Sequence, residues 1–166
     1  MKITYTISKL SQENAETIAN QWKYEAEYSF YDMTSDPEDY EEIMKPNLRG
    51  DNYFQVVEQQ SLVGFFCLSP ITNQIVEVGL GLKPELTGKG LGRSFLKEIE
   101  EFLIKNYSYN EVQLSVASFN IRALTVYLKS GYKEIDRKMV DTNHSNYEFI
   151  VLKKCLPNSN IEVIDK

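Results

Sequence analysis

The chain has 166 residues, 42% apolar and 25% charged, with a formal net charge of −6. That size and balance suit one globular domain with a real core and exclude a disordered chain. The negative balance excludes a general nucleic-acid binder, which depends on dense Lys and Arg, and leaves two readings open: a cationic partner, or a charge that only keeps the protein soluble.

No run reaches the ~20 apolar residues of a membrane span, and Met1-Lys2-Ile3-Thr4-Tyr5 alternates instead of forming a signal peptide's apolar stretch. The chain is expected to be cytoplasmic, intact from Met1 and without a membrane partner. Cys67 and Cys155 lack C-x-x-C spacing, and His144 is the single histidine, set in polar Asp-Thr-Asn-His-Ser-Asn. Neither a disulfide framework nor a metal site is expected, and His144 reads as a solvated loop residue.

In chain order, Ile3 to Ile7 alternates as an opening strand, and Ser11 followed by Asn14-Ala15-Glu16 starts a helix through Trp22 to about Tyr28. Ser35-Asp36-Pro37-Glu38 opens a short helix that ends before Pro46. Tyr53 to Glu58 and Leu62 to Leu68, around Gln59-Gln60-Ser61, read as a β-hairpin, and Ile75 to Leu82 as a third strand. Leu91, Phe95, Ile99 and Phe102 then recur at helical spacing. Glu111 to Val116 is a strand, Asn120 to Ser130 a second amphipathic helix capped by Gly131, and Tyr132 to Arg137 and Tyr147 to Leu152 close the chain as strands. Pro157-Asn158-Ser159-Asn160 marks a break before a tail, 157–166.

The segment Thr87-Gly88-Lys89-Gly90-Leu91-Gly92-Arg93 joins a strand to a helix. At a helix start the first N–H groups lack partners and the dipole is positive, so an anionic phosphate is attracted there, and glycines let the backbone approach it. A Walker loop fails on these residues, because Lys83 and Gly90 stand where Gly and Ser or Thr are needed. The dinucleotide fingerprint fails as well, since its last glycine falls on Pro84 or Arg93.

The segment resembles the pyrophosphate motif of the GNAT superfamily of acetyl-CoA-dependent N-acyltransferases, Arg/Gln-x-x-Gly-x-Gly/Ala, with Thr87 at the first position in place of Arg or Gln. Val116-Ala117-Ser118-Phe119-Asn120, Ala123, Tyr127 and Gly131-Tyr132 resemble the superfamily's second acetyl-CoA segment. Two helical turns separate Asn120 from Tyr127, which puts both on one face with Ala123 between them.

The resemblance implies an α/β (α+β) fold, a mixed central sheet flanked by helices in the order βααβββαβαββ, as one acetyltransferase domain over 1–156. It implies acetyl-CoA as cosubstrate, held by Thr87, Gly88, Lys89, Gly90, Leu91, Gly92, Arg93, Asn120 and Tyr127. The backbone near Leu80 and Leu82 pairs with the pantetheine arm, and Tyr127 protonates the leaving thiolate. Direct transfer to an amine is favoured over an acetyl-cysteine, because Cys67 lies in apolar Phe-Phe-Cys-Leu.

Alternation places Glu77, Gly79 and Gly81 on one strand face. Those glycines mark either close approach of a ligand or a bulge. Glu77 is either the base that takes the ammonium proton or a solvated or ion-paired structural carboxylate. Tyr28, Phe30, Tyr31, Asp32 and Asp36 make either an acidic, aromatic mouth for a cationic amine or a packed helix pair with its acids in water. A homodimer is compatible with the sequence, and the alternative function is a non-catalytic acyl-CoA-binding regulator of the same fold.

Overall fold

The computed structural model describes residues 4–157. Seven strands form one sheet in the order β1-β2-β3-β4-β5-β7-β6. They are β1 Thr6–Lys9, β2 Tyr53–Glu58, β3 Ser61–Pro70, β4 Ile75–Leu82, β5 Glu111–Ala117, β6 Lys133–Thr142 and β7 Ser145–Cys155, and the helices are α1 Gln12–Gln21, α2 Pro37–Met44, α3 Pro46–Arg49, α4 Gly92–Asn106 and α5 Ile121–Lys129. The expected order holds, with α3 and three 3₁₀ turns added to it. Among the described residues no helix is long and apolar enough to cross a membrane.

Strand alternation gives the sheet two apolar faces. Phe54, Phe66, Val76, Val78, Leu114 and Ile150 bury against Phe95, Leu96, Ile99 and Leu103 of α4. On the other face Tyr53 and Phe65 meet Ala15, Ile18, Ala19, Trp22 and Ile43 of the α1–α2 region. Each large apolar side chain so buried contributes about 1.5–3 kcal/mol. Within the first core, Glu100 accepts from the Tyr132 hydroxyl (2.6 Å) and from Lys154 Nζ (2.8 Å), so its buried carboxylate is satisfied on both oxygens.

Several boundaries differ from the sequence reading. The opening strand begins at Thr6, not Ile3, which lies outside the described residues, and it pairs with β2 through Lys9. Helix α1 stops at Gln21 rather than about Tyr28, because Trp22 turns into the core, 5% exposed, and Tyr24 N donates to Asp32 Oδ1 at 2.8 Å. Residues 26–31 and 33–35 form 3₁₀ turns instead. Strand β6 runs on to Thr142 and β7 starts at Ser145. The edge strand β6 is almost wholly exposed and carries no apolar alternation, so its length left no signal in the sequence. His144 sits in the tight turn of that hairpin with φ +65°, exposed as expected. Of the tail 157–166, all but Pro157 lies outside the described residues.

Candidate active site

All neighbouring strands are antiparallel except β4 and β5. That parallel pair is joined only at Ile75–Glu77 with Glu111–Gln113, after which the strands part. Beyond Glu77, β4 stays paired with β3 up to Leu82. Lys83 N donates to Val63 O at 2.8 Å, and antiparallel bonding alternates, so Gly79 and Gly81 turn their backbone groups to β3. Val78, Leu80 and Leu82 turn theirs into the opening. The Tyr24 hydroxyl takes one of these, donating to Leu82 O at 2.7 Å.

A cavity of about 540 Å³ occupies this opening. The candidate residues Glu77, Leu80, Leu82, Thr87, Gly88, Gly90, Leu91, Gly92, Asn120 and Tyr127 all line it, whereas Lys89 and Arg93 do not and are exposed beside it. The glycine-bearing face of β4 is not bare. A Cβ on Gly81 would stand 2.6 Å from the Phe65 ring and one on Gly79 2.9 Å from Cys67 Sγ, so neighbours on β3 fill those places and no bulge is present. Cys67 thus lines the cavity, but burial and then the Glu42 charge push its thiol up to about 12, which leaves it unsuited to nucleophilic attack.

The glycines of the loop serve different needs. Gly88 and Gly90 have φ of +73° and +78°, the left-handed region, while a Cβ on Gly92 would meet Val126 of α5 at 3.2 Å. The α4 ladder begins with Phe95 N to Leu91 O, and no side chain caps the helix. The N–H groups of Gly92, Arg93 and Ser94 therefore lack an intrahelical partner, at the helix end where Leu91 and Gly92 line the cavity. Such a cradle suits a phosphate. Thr87 turns its hydroxyl back to Pro84 O at 2.7 Å.

Asn120 is the N-cap of α5 rather than a residue of its first turn, with Oδ1 accepting from Ala123 N at 3.1 Å. Its backbone, with φ −84° and ψ +72°, is not helical, so it does not share a helix face with Tyr127, although both line the cavity. The Tyr127 hydroxyl has no hydrogen-bond partner among the described residues, and burial, followed by the Tyr31 hydroxyl nearby, raises its pKa, so the phenol keeps its proton. Glu77 Oε1 accepts from Ser115 Oγ (2.7 Å) and Gln113 Nε2 (3.0 Å). Both bonds fall on one oxygen, and Glu77 forms no ion pair among the described residues.

The segment 24–36 straps the cavity. Tyr28, Phe30, Tyr31 and Asp32 line it, Phe30 also packs edge-on against Phe119 and Tyr147, and Asp36 caps α2 and accepts from Thr142. The stretch is not a packed helix pair: it forms 3₁₀ turns whose aromatic residues both pack together and line the cavity. Sequence reasoning missed Asp39, Glu42, Tyr53 and Arg122, all of which border the cavity. Glu42 accepts from the Tyr53 hydroxyl, and Tyr53 pairs with Cys67 in the sheet. Only the register brings these acids near Gly79, so no local signal announced them.

The chain matches the model of the Acetyltransferase (GNAT) family over residues 17–132. This protein belongs to the GNAT acetyltransferase family. A spermidine N(1)-acetyltransferase from Thermoplasma acidophilum is 29% identical over 162 residues, covering 89% of this chain and 96% of that protein. Acetyltransferase PseH of Campylobacter jejuni is 30% identical over 84 residues, 51% of this chain and 52% of that one. The spermidine N-acetyltransferase from Vibrio cholerae in complex with CoA and spermine shares the fold, with TM-score 0.68 and 19% identity over 91% of this chain and 95% of that one. This GNAT acetyltransferase transfers acetyl from acetyl-CoA to an amine. The uncapped helix start, the positive-φ glycines and the open β4 backbone fit that cosubstrate.

Proposed function

We propose that this enzyme acetylates a primary amine of a polycationic acceptor of the spermidine type. The observation that carries the reading is the charge gradient of the β4–β5 cavity. A helix start and Arg122 stand at the loop end, Asp32 lies between on the strap beside Tyr24, and Glu77, Glu42 and Asp39 gather around the Glu77–Gly79 end. The loop end favours anionic phosphates and the acidic end favours ammonium groups. The spermidine acetyltransferase that is similar over 96% of its length supports the same acceptor class.

Acetyl-CoA supplies the activated acetyl thioester. The backbone of Gly88 to Gly92 holds its phosphates, the Leu80 carbonyl and the Leu82 N–H pair with its pantetheine arm, and the Leu80 N–H, pointing into the opening, stabilises negative charge on the carbonyl oxygen. The acceptor arrives as an ammonium and must lose a proton before it attacks. Glu77 takes that proton, directly or through water, on Oε2, because neutral donors engage only Oε1. Tyr127, kept neutral by burial, gives its hydroxyl proton to the departing thiolate.

The test is a panel of amines incubated with acetyl-CoA while free thiol is followed. Spermidine and spermine should give the highest kcat/KM, above neutral peptide N-termini, amino sugars and amines that carry carboxylates. A preference for a neutral or anionic acceptor overturns the reading.

A further inference from the structure

We propose that Arg122 supplies the cationic phosphate contact that the glycine loop lacks at Thr87. Thr87 stands where the resembling motif has Arg or Gln, and its neutral side chain is turned away to Pro84 O. From the other side, Nη1 of Arg122 lies 3.5 Å from where a Cβ on Gly88 would be. The guanidinium is thus in contact with the loop at its first glycine, and it lines the same cavity. Thr87 and Arg122 both border the cavity at its loop end.

Arg122 carries its charge at the wall of the cavity. It forms no ion pair with a carboxylate among the described residues. It sits in the first turn of α5, where the dipole is positive and no acidic residue offsets it. A cation there opposes the local field unless an anion lies close. A Cβ on Gly92 would meet Val126 at 3.2 Å, so the start of α4 lies against α5, and the uncapped α4 start and the Arg122 guanidinium border one cavity. Tyr28 stacks under the guanidinium, 4.0 Å from its ring centroid to Cζ. Stacking fixes the plane of the group while leaving its N–H fork open, the geometry in which Arg grips two phosphate oxygens.

The inference rests on the reading that the glycine loop takes the phosphates of acetyl-CoA, and not on the identity of the acceptor. Calorimetry with CoA and with pantetheine, which lacks the phosphates, tests it on the wild type and on Arg122→Gln, Arg122→Lys and Gly90→Asp. Arg122→Gln should weaken CoA about tenfold or more, the loss of a charge-assisted contact, and leave pantetheine unchanged. Arg122→Lys should retain part of the affinity, and the salt dependence of CoA binding should flatten in Arg122→Gln. Gly90→Asp tests the loop by itself. Its added Cβ meets nothing within 4 Å, but it sets a carboxylate against the phosphates. If Gly90→Asp loses CoA while Arg122→Gln keeps wild-type affinity and salt dependence, the loop reading stands and the role of Arg122 is overturned. Equal weakening of CoA and pantetheine in Arg122→Gln also overturns it, as the mark of a packing residue.

Discussion

Tyr24 and Leu82, 58 positions apart, are joined by a 2.7 Å hydrogen bond from the phenol to the backbone carbonyl. The bond fastens the 24–36 strap to β4 where β4 has parted from β5. Burial, and then Asp32 and Glu85, raise the Tyr24 pKa, so it stays a donor. Tyr24→Phe should lower stability by about 1 kcal/mol, read by denaturant unfolding, and speed proteolysis within the strap. If both measurements match the wild type, Phe30 and its aromatic neighbours hold the strap without that bond.

Tyr127→Phe removes a single hydroxyl and keeps the ring against Tyr132. Turnover should fall about 10²-fold or more while acetyl-CoA affinity changes little, the pattern of a lost proton donor. Steady-state rates with a saturating acceptor, set beside calorimetric binding, separate the two effects. Wild-type turnover in the variant would make Tyr127 a positioning residue.

Asp39 stands at the exposed rim of the cavity, where desolvation, followed by the charges of Asp36, Glu42 and Glu38, raises its carboxyl to about 6. As pH falls through that value the carboxylate gains a proton and loses its attraction for an ammonium, which stays charged throughout. Acceptor affinity should therefore weaken below about pH 6, with full strength above it. Equilibrium binding of spermine to the CoA-bound enzyme, measured below and above about pH 6, checks the sign. Asp39→Asn should bind more weakly at neutral pH and show a flatter profile, and an unaltered profile would remove Asp39 from the acceptor site.

Gly64 on β3 is buried under α4. A Cβ there would stand 2.6 Å from the Phe95 ring and 2.9 Å from the Gly81 carbonyl oxygen. Backbone cannot yield as a flexible side chain does, so Gly64→Ala should cost about 1–3 kcal/mol by overpacking. Gly90→Ala, which meets no atom within 4 Å, should cost only the strain of its positive φ. Denaturant midpoints of the two variants compare them directly, and equal losses would contradict the packing of Phe95 on Gly64.

The sequence by itself determined the strand–helix order, the span of β4, the hairpin at Gln59-Gln60 and the glycine-rich start of α4. These depend on apolar period and on glycines, which act within a few residues of themselves. Asn120 and Tyr127 both line the cavity, but Asn120 does so as the N-cap of α5 and not from a helical face. The tertiary structure decided what depends on contacts across the chain. Helix α1 ends early because the chain after Trp22 is drawn toward Asp32 and Leu82, partners that no propensity at Tyr24 discloses. The length of β6 comes from pairing with β7, since its exposed residues have no hydrophobic reason to alternate. Glu42 and Asp39 meet Glu77 in one cavity only because the sheet register sets Tyr53 beside Cys67 and Cys67 beside Gly79. Arg122 reaches Gly88 only because α5 packs on α4 at Gly92. Charge acts through space, and a sequence orders its charges along the chain.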